Sequence, residues 1–216
     1  MREIGNPSDK AARGAAVAGL AAVLAPMIVS QVMRLHQHEA LGWIAFDYAG
    51  RLGALVVAAA IPSVRMAAFR REQTRIVPSE TGLWVVGLSL AERLCQPMSA
   101  VINGMFPGTV FGSYPRPEGW LYLFDLVVGL ALVAVSEEIV FRRCVGHVLR
   151  LWLDKNRISI VLVSSILFGV YHWWTGLGNV TTAALIGAGL ALMLQRSVAL
   201  WPVILAHYLI DLVAFA

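Results

Sequence analysis

Three groups of ionisable residues stand at helical spacing in the last hundred residues of this 216-residue chain. In the first, Glu137 and Glu138 are adjacent and Arg142 follows Glu138 by four positions. Residues four apart share a helix face, so Glu138 and Arg142 can pair. Glu137 lies about 100° further round, on the face of Phe141, with no cation at either helical neighbour. One carboxylate is thereby neutralised, and the other is left against an aromatic, where it could act as a general base toward water. In the second group Phe168 and His172 lie four apart on one face. In the third His207 and Asp211 do the same, and the aspartate can accept the imidazole N–H and fix its tautomer. Carboxylate and imidazole also ligate divalent cations, so Glu137, Glu138, His172 and His207 form a candidate ligand set. Spacing does not separate a metal-activated water from a base-activated one. The plainer readings are an ion pair at a membrane boundary, an interfacial histidine beside Trp173 and Trp174, and a helix-linking His–Asp pair. Three such groups in order on apolar segments favour a functional site, because intramembrane charges are costly.

The elements that must position these residues are membrane helices. The chain is 58% hydrophobic and 14% charged, with mean hydropathy +0.71. A soluble domain carries nearly twice that charge fraction. Seven apolar runs read as spans at 14–33, 50–69, 81–102, 120–141, 158–175, 178–195 and 198–216. The fold expected is an all-α, polytopic transmembrane helix bundle of about seven spans. Nothing from Trp120 to Leu153 breaks a helix except single glycines, which would give a rod of about 50 Å. Arginines and lysines gather before the first span and between spans two and three, four and five, and six and seven. That alternation puts the N-terminus in the cytoplasm. The net charge of +4 is therefore a topology signal and not one for nucleic acid. Organisation follows as an N-terminal tail (1–13), N-terminal helices with an outer loop (14–119), and a helical core (120–216). Asn103 to Gly119 is rich in Pro and Gly and reads as an irregular loop.

Asp154, Lys155 and Asn156 mark the turn between spans four and five. Glu137 and His172 are equidistant from its midpoint, so straight antiparallel helices would hold them at one level. Elsewhere, Asp47 and Arg51 read as an interfacial i,i+4 salt bridge, and Asp125 as a residue of the outer interface. Glu92 and Arg93 read as facing the bundle. Cys95 and Cys144 form no metal or disulfide pattern.

The order EExxxR, FxxxH, HxxxD, carried by Glu137, Glu138, Arg142, Phe168, His172, His207 and Asp211, resembles the CPBP (Abi-like) family. That family comprises type II CAAX prenyl endopeptidases and bacteriocin-processing or self-immunity membrane proteases. The resemblance covers roughly residues 120–216. It implies an intramembrane endopeptidase in a bacterial or archaeal plasma membrane, acting on a membrane-associated or lipidated protein or peptide. On that model Glu137 and His172 activate water, Glu138 is held by Arg142, and Phe168 and Phe141 support the site. His207 stabilises the oxyanion. The position four later is often Asn in the prenyl endopeptidases; the Asp211 found here suits orienting His207. The resemblance implies an enzyme that is either glutamate-type or metal-dependent: it makes no cofactor certain, and a divalent metal ion fits the same residues. There is no HExxH, and Ser164 and Ser165 lack a glycine frame for a serine nucleophile. The competing function is non-enzymatic: an immunity or binding protein, or a proton-coupled transporter component, using the same buried Glu/His cluster.

Overall fold

The computed structural model describes residues 7–153 and 156–216. The fold is all-α, as expected. Among the described residues, the only β-type contact is a single bridge between Val110 and Thr175. The helices are α1 (Pro7–Arg34), α2 (Ala40–Ala60), α3 (Pro62–Ala68) and α4 (Pro78–Met105). A long helical stretch follows, made of α5 (Gly119–Phe124), a π turn (Asp125–Gly129), α6 (Leu130–Glu137), a π segment (Glu138–Val145) and α7 (Gly146–Trp152). Then come α8 (Arg157–Tyr171), α9 (Leu177–Ser197) and α10 (Trp201–Phe215).

Local chemistry explains the breaks. Pro62, Pro78 and Pro202 stand in the first turns of α3, α4 and α10, where a missing N–H costs nothing. The Asn156 side chain caps α8 by accepting from the Ser159 N–H at 3.1 Å. Gly176, at φ 99°, supplies the left-handed residue that turns the chain into α9. By length and composition, Lys10–Arg34, Ala40–Ala60 and Leu177–Ser197 can each cross a membrane, and α8 and α10 are shorter apolar helices. Side chains such as Leu83, Leu94 and Val56 point outward, 74%, 69% and 66% exposed. That suits a surface that meets lipid tails.

Two boundaries differ from expectation. The second span begins at Ala40 and ends at Ala60, not at 50–69. Asp47 and Arg51 neutralise one another and are buried, so they lie within the helix and do not mark its mouth. Pro62 then forces Ile61 into extended geometry and starts a separate helix. Helix α4 also continues to Met105, three residues into the stretch read as loop. The turn read at Asp154 and Lys155 lies outside the described residues.

The stretch Gly119–Trp152 keeps helical backbone angles through every junction. It is the central strut. Its α6 and π segment pack against α2 and α3 on one flank, and against α10 and α8 on the other. One apolar core, built around Phe141 and Phe168, joins it to α1, α2, α3 and α8. A second core joins α4, α9 and α10 through Leu88, Leu190 and Val203. The ionisable residues lie where these two cores adjoin.

Candidate active site

Close helix packing sets the position of Phe168. A Cβ on Gly187 would stand 2.8 Å from the Phe168 ring, and one on Gly169 would collide with the backbone of α9 at Val180. Bare glycines on α8 and α9 therefore let the two helices approach, as small residues do at membrane-helix interfaces. Phe168 meets Phe141 edge to face at 5.3 Å. It also contacts the rings of His172 and His207 at 4.9 and 5.9 Å. The Arg142 guanidinium lies over its face at 4.9 Å. One aromatic side chain thus touches a member of each charged group.

Glu137 is 1% exposed and not the unpaired carboxylate that local spacing suggests. Its Oε1 accepts from Arg51 Nη1 at 2.8 Å. The same nitrogen reaches Ser136 Oγ at 3.2 Å, and Arg51 Nε donates to Asp47 Oδ2 at 2.7 Å. Asp47 also pairs with Arg34, which is stacked between Trp43 and Trp174 at 4.3 and 4.4 Å. The Asp47–Arg51 pair is therefore a buried link from α2 to the site and not an interfacial bridge. Arg34 and Arg51 are the functional residues that local reasoning missed. The i,i+4 spacing of Asp47 and Arg51 was the available signal, but the reach of Arg51 across 86 residues is a matter of packing.

Arg51 engages one oxygen of Glu137 and leaves the other. Oε2 has no hydrogen-bond partner among the described residues. It lies 3.9 Å from Nε2 of both His172 and His207. Each gap is too long for a direct hydrogen bond, so Oε2 and the two ring nitrogens face one another without being joined. His172 Nδ1 is 2.9 Å from the Phe168 carbonyl. A carbonyl only accepts, so Nδ1 carries a proton, and in the neutral ring Nε2 turns a lone pair toward Glu137.

Glu138 is fully buried and doubly engaged. Oε2 accepts from Arg142 Nε at 3.0 Å, and Oε1 faces His207 Nδ1 at 2.9 Å. Glu138 thus makes the orienting contact to His207, a task that sequence reasoning gave to Asp211. Asp211 Oδ2 lies instead 3.4 Å from the other ring nitrogen, Nε2. Glu137, His172, His207 and Asp211 line one cavity of about 620 Å³, with Asp47, Arg51 and Phe168 also in its wall. Glu138 supports the site from behind. Among the described residues, no three His, Cys, Asp or Glu side chains are arranged to hold a metal ion. Glu138 in particular has no oxygen to spare.

The segment after α4 covers the cavity mouth. Phe111 and Gly112 N–H groups donate to the Trp174 carbonyl at 3.0 and 3.2 Å, tying that loop to the turn after α8. Asn103 Oδ1 accepts from the Gly178 N–H at 2.7 Å. Asp125 is buried beneath this loop. It accepts from Tyr48 at 2.7 Å and also from Tyr114. Burial, with the Asp125 contact adding to it, pushes the Tyr114 phenol up from its ordinary value. Glu92 lines the cavity, while Arg93 points out and donates to the Val213 carbonyl. Cys144 is buried and free, and Cys95 is free and half-buried.

The arrangement presents two proton acceptors, Glu137 Oε2 and His172 Nε2, beside the imidazole of His207, which a carboxylate orients. That is the equipment for activating water. The model of one protein family, described as type II CAAX prenyl endopeptidase Rce1-like, matches residues 119–213. No curated protein and no solved structure matches the chain.

Proposed function

We propose, for a chain whose residues 119–213 belong to the Rce1-like family of type II CAAX prenyl endopeptidases, that these residues hydrolyse a peptide bond within the bilayer. The substrate is a membrane-associated or lipidated protein or peptide, reached through the cavity under the 106–118 loop. One observation carries the reading: the unpartnered Oε2 of Glu137, 3.9 Å from both His172 Nε2 and His207 Nε2. A water in that gap donates one proton to Glu137 and the other to His172. A lone pair of its oxygen is then free to face a substrate carbonyl carbon. As the C–O bond forms, the first proton passes to Glu137. It is then delivered to the amide nitrogen as the C–N bond breaks. His207, fixed through Nδ1 by Glu138, offers Nε2 to the carbonyl oxygen, where a protonated ring stabilises the oxyanion. Asp211, beside the same nitrogen, balances that charge. Burial in an apolar bundle strengthens each of these interactions.

The test is mass spectrometry of membrane peptides from cells expressing wild type or Glu137→Gln at equal level, with a chelator arm. Glu137→Gln keeps the shape and an acceptor for Arg51, and removes the base. Peptides that accumulate with wild type vanish with the variant on this reading. Full cleavage by Glu137→Gln would remove Glu137 from the role of base.

A further inference from the structure

A second cavity, of about 900 Å³, lies between α3, the π segment, α7, α8 and the end of α9. It shares no lining residue with the first. Six arginines line it: Arg70, Arg75, Arg142, Arg143, Arg150 and Arg157. Among the described residues, the one carboxylate in its wall is Glu72, which accepts from Arg143 Nη1 at 2.8 Å and Arg70 Nε at 3.0 Å. Arg142 is tied to Glu138 behind the wall. Positive charge therefore exceeds what the carboxylates present can neutralise.

The buried donors are also incompletely used. Arg142 and Arg143 are 3% and 7% exposed, yet Arg142 Nη2 and Arg143 Nε have no hydrogen-bond partner among the described residues. These two atoms are themselves closed to solvent, so what the cavity gains from Arg142 and Arg143 is charge and not open donors. Met66, Ile160, Val161 and Leu194 give the wall an apolar side, beside the polar Ser63, His147, Ser164 and Gln195. An anionic head against several guanidinium forks, with a hydrocarbon path beside it, is the outline of an amphiphile. Phosphate suits forks that approach from several directions better than a planar carboxylate does. Basic pockets between membrane helices take anionic lipid heads for this reason.

We propose that this cavity binds a phosphate group, presented as the headgroup of an anionic lipid whose acyl chain runs along the apolar wall. The site does not depend on the proteolytic reading, and its two rim arginines, Arg150 and Arg157, take no part in that chemistry. The test uses the full chain in phosphatidylcholine nanodiscs containing a minor fraction of phosphatidylglycerol. Native mass spectrometry counts the lipids retained on release. A parallel arm titrates inorganic phosphate in detergent and reads the melting temperature.

Wild type should retain phosphatidylglycerol well above its share of the nanodisc. Arg150→Gln with Arg157→Gln should lower that preference about fivefold per arginine, about 25-fold for the pair. A melting shift with inorganic phosphate as well would extend the site to free phosphate; a response to the lipid alone would assign it to the headgroup. Either result supports a phosphate site. Equal retention of both lipids with no phosphate-induced shift would overturn the proposal. So would a double variant that melts like wild type and keeps its lipid preference. Peptide cleavage by the double variant, measured separately, distinguishes failure of this site from failure of the catalytic assignment.

Discussion

Removing the guanidinium of Arg51 should strip the site of its link to α2. In Arg51→Met a chain of similar length replaces the cation, and three contacts disappear: Asp47 at 2.7 Å, Glu137 at 2.8 Å and Ser136 at 3.2 Å. Asp47 keeps Arg34 as a partner, so Glu137 is the group left as an uncompensated buried charge. Breaking a buried pair in this way costs about 3–5 kcal/mol. Converting the stranded carboxylate to an amide should restore part of that loss. The double variant Arg51→Met with Glu137→Gln is therefore expected to be more stable than Arg51→Met alone. The resulting coupling energy should lie at the upper end of the range for contacting residues, about 1–3 kcal/mol. Unfolding by SDS in mixed micelles, followed by fluorescence of the seven tryptophans, gives the four stabilities of the cycle. Cleavage by Arg51→Met should fall with them, because Glu137 loses the contact that turns Oε2 toward the histidines. Stability within about 0.5 kcal/mol of wild type, the range of a neutral surface change, would refute this reasoning. So would an additive cycle.

The glycine contacts give a second expectation: Gly187→Ala should cost about 1–3 kcal/mol by overpacking. It should depress cleavage further than stability, since Phe168 would be pushed against His172 and His207; melting and kcat measured on the same preparation decide it. Glu138→Gln removes the carboxylate facing His207 Nδ1 and should lower kcat about a hundredfold, the lower end of the range for acid–base groups, with an altered pH–rate profile that a purely structural residue would not produce. Tyr114→Phe should cost about 1 kcal/mol for the hydrogen bond lost at Asp125. The sign of its pH effect follows from a phenol whose native value is raised. Stability from Tyr114 is complete below the unfolded value of about 10 and is lost as pH rises through the native one. The wild type should therefore lose stability above about pH 10, and Tyr114→Phe should flatten that fall in thermal melts.

What could be read in advance was whatever a helix encodes within one turn. The Glu138–Arg142 pair and the shared face of Phe168 and His172 follow from a spacing of four. The common level of Glu137 and His172 follows from counting outward from a turn. The all-helical class follows from the apolar runs. The contacts of Glu137 were not legible, because Arg51 approaches from a helix 86 positions earlier and no local rule states which helices become neighbours. The same gap hid the contact of Glu138 with His207, 69 positions apart, and led to Asp211 being read as the orienting group. Misplacing the start of α2 had a related cause. Charges were read as marks of a membrane boundary, whereas Arg34, Asp47, Arg51 and Glu137 satisfy one another inside the bundle. The basic cavity was visible only as loop arginines, whose convergence depends on α3, α7 and α8 meeting.

The helices that carry the histidines have a bearing on the lipid around them. Helices α8 and α10 have 15 residues each, so each rises about 22 Å. The hydrocarbon layer of an ordinary bilayer is about 30 Å thick. Short spans are accommodated by drawing the two leaflets together. Beside α8 and α10 the membrane should therefore be pinched. A lipid-tethered peptide diffusing in either leaflet would find its headgroup region dipping toward His172 and His207 there. Delivery of the substrate's polar backbone to a buried site would then rest on a deformation of the solvent as well as on a pathway through the protein.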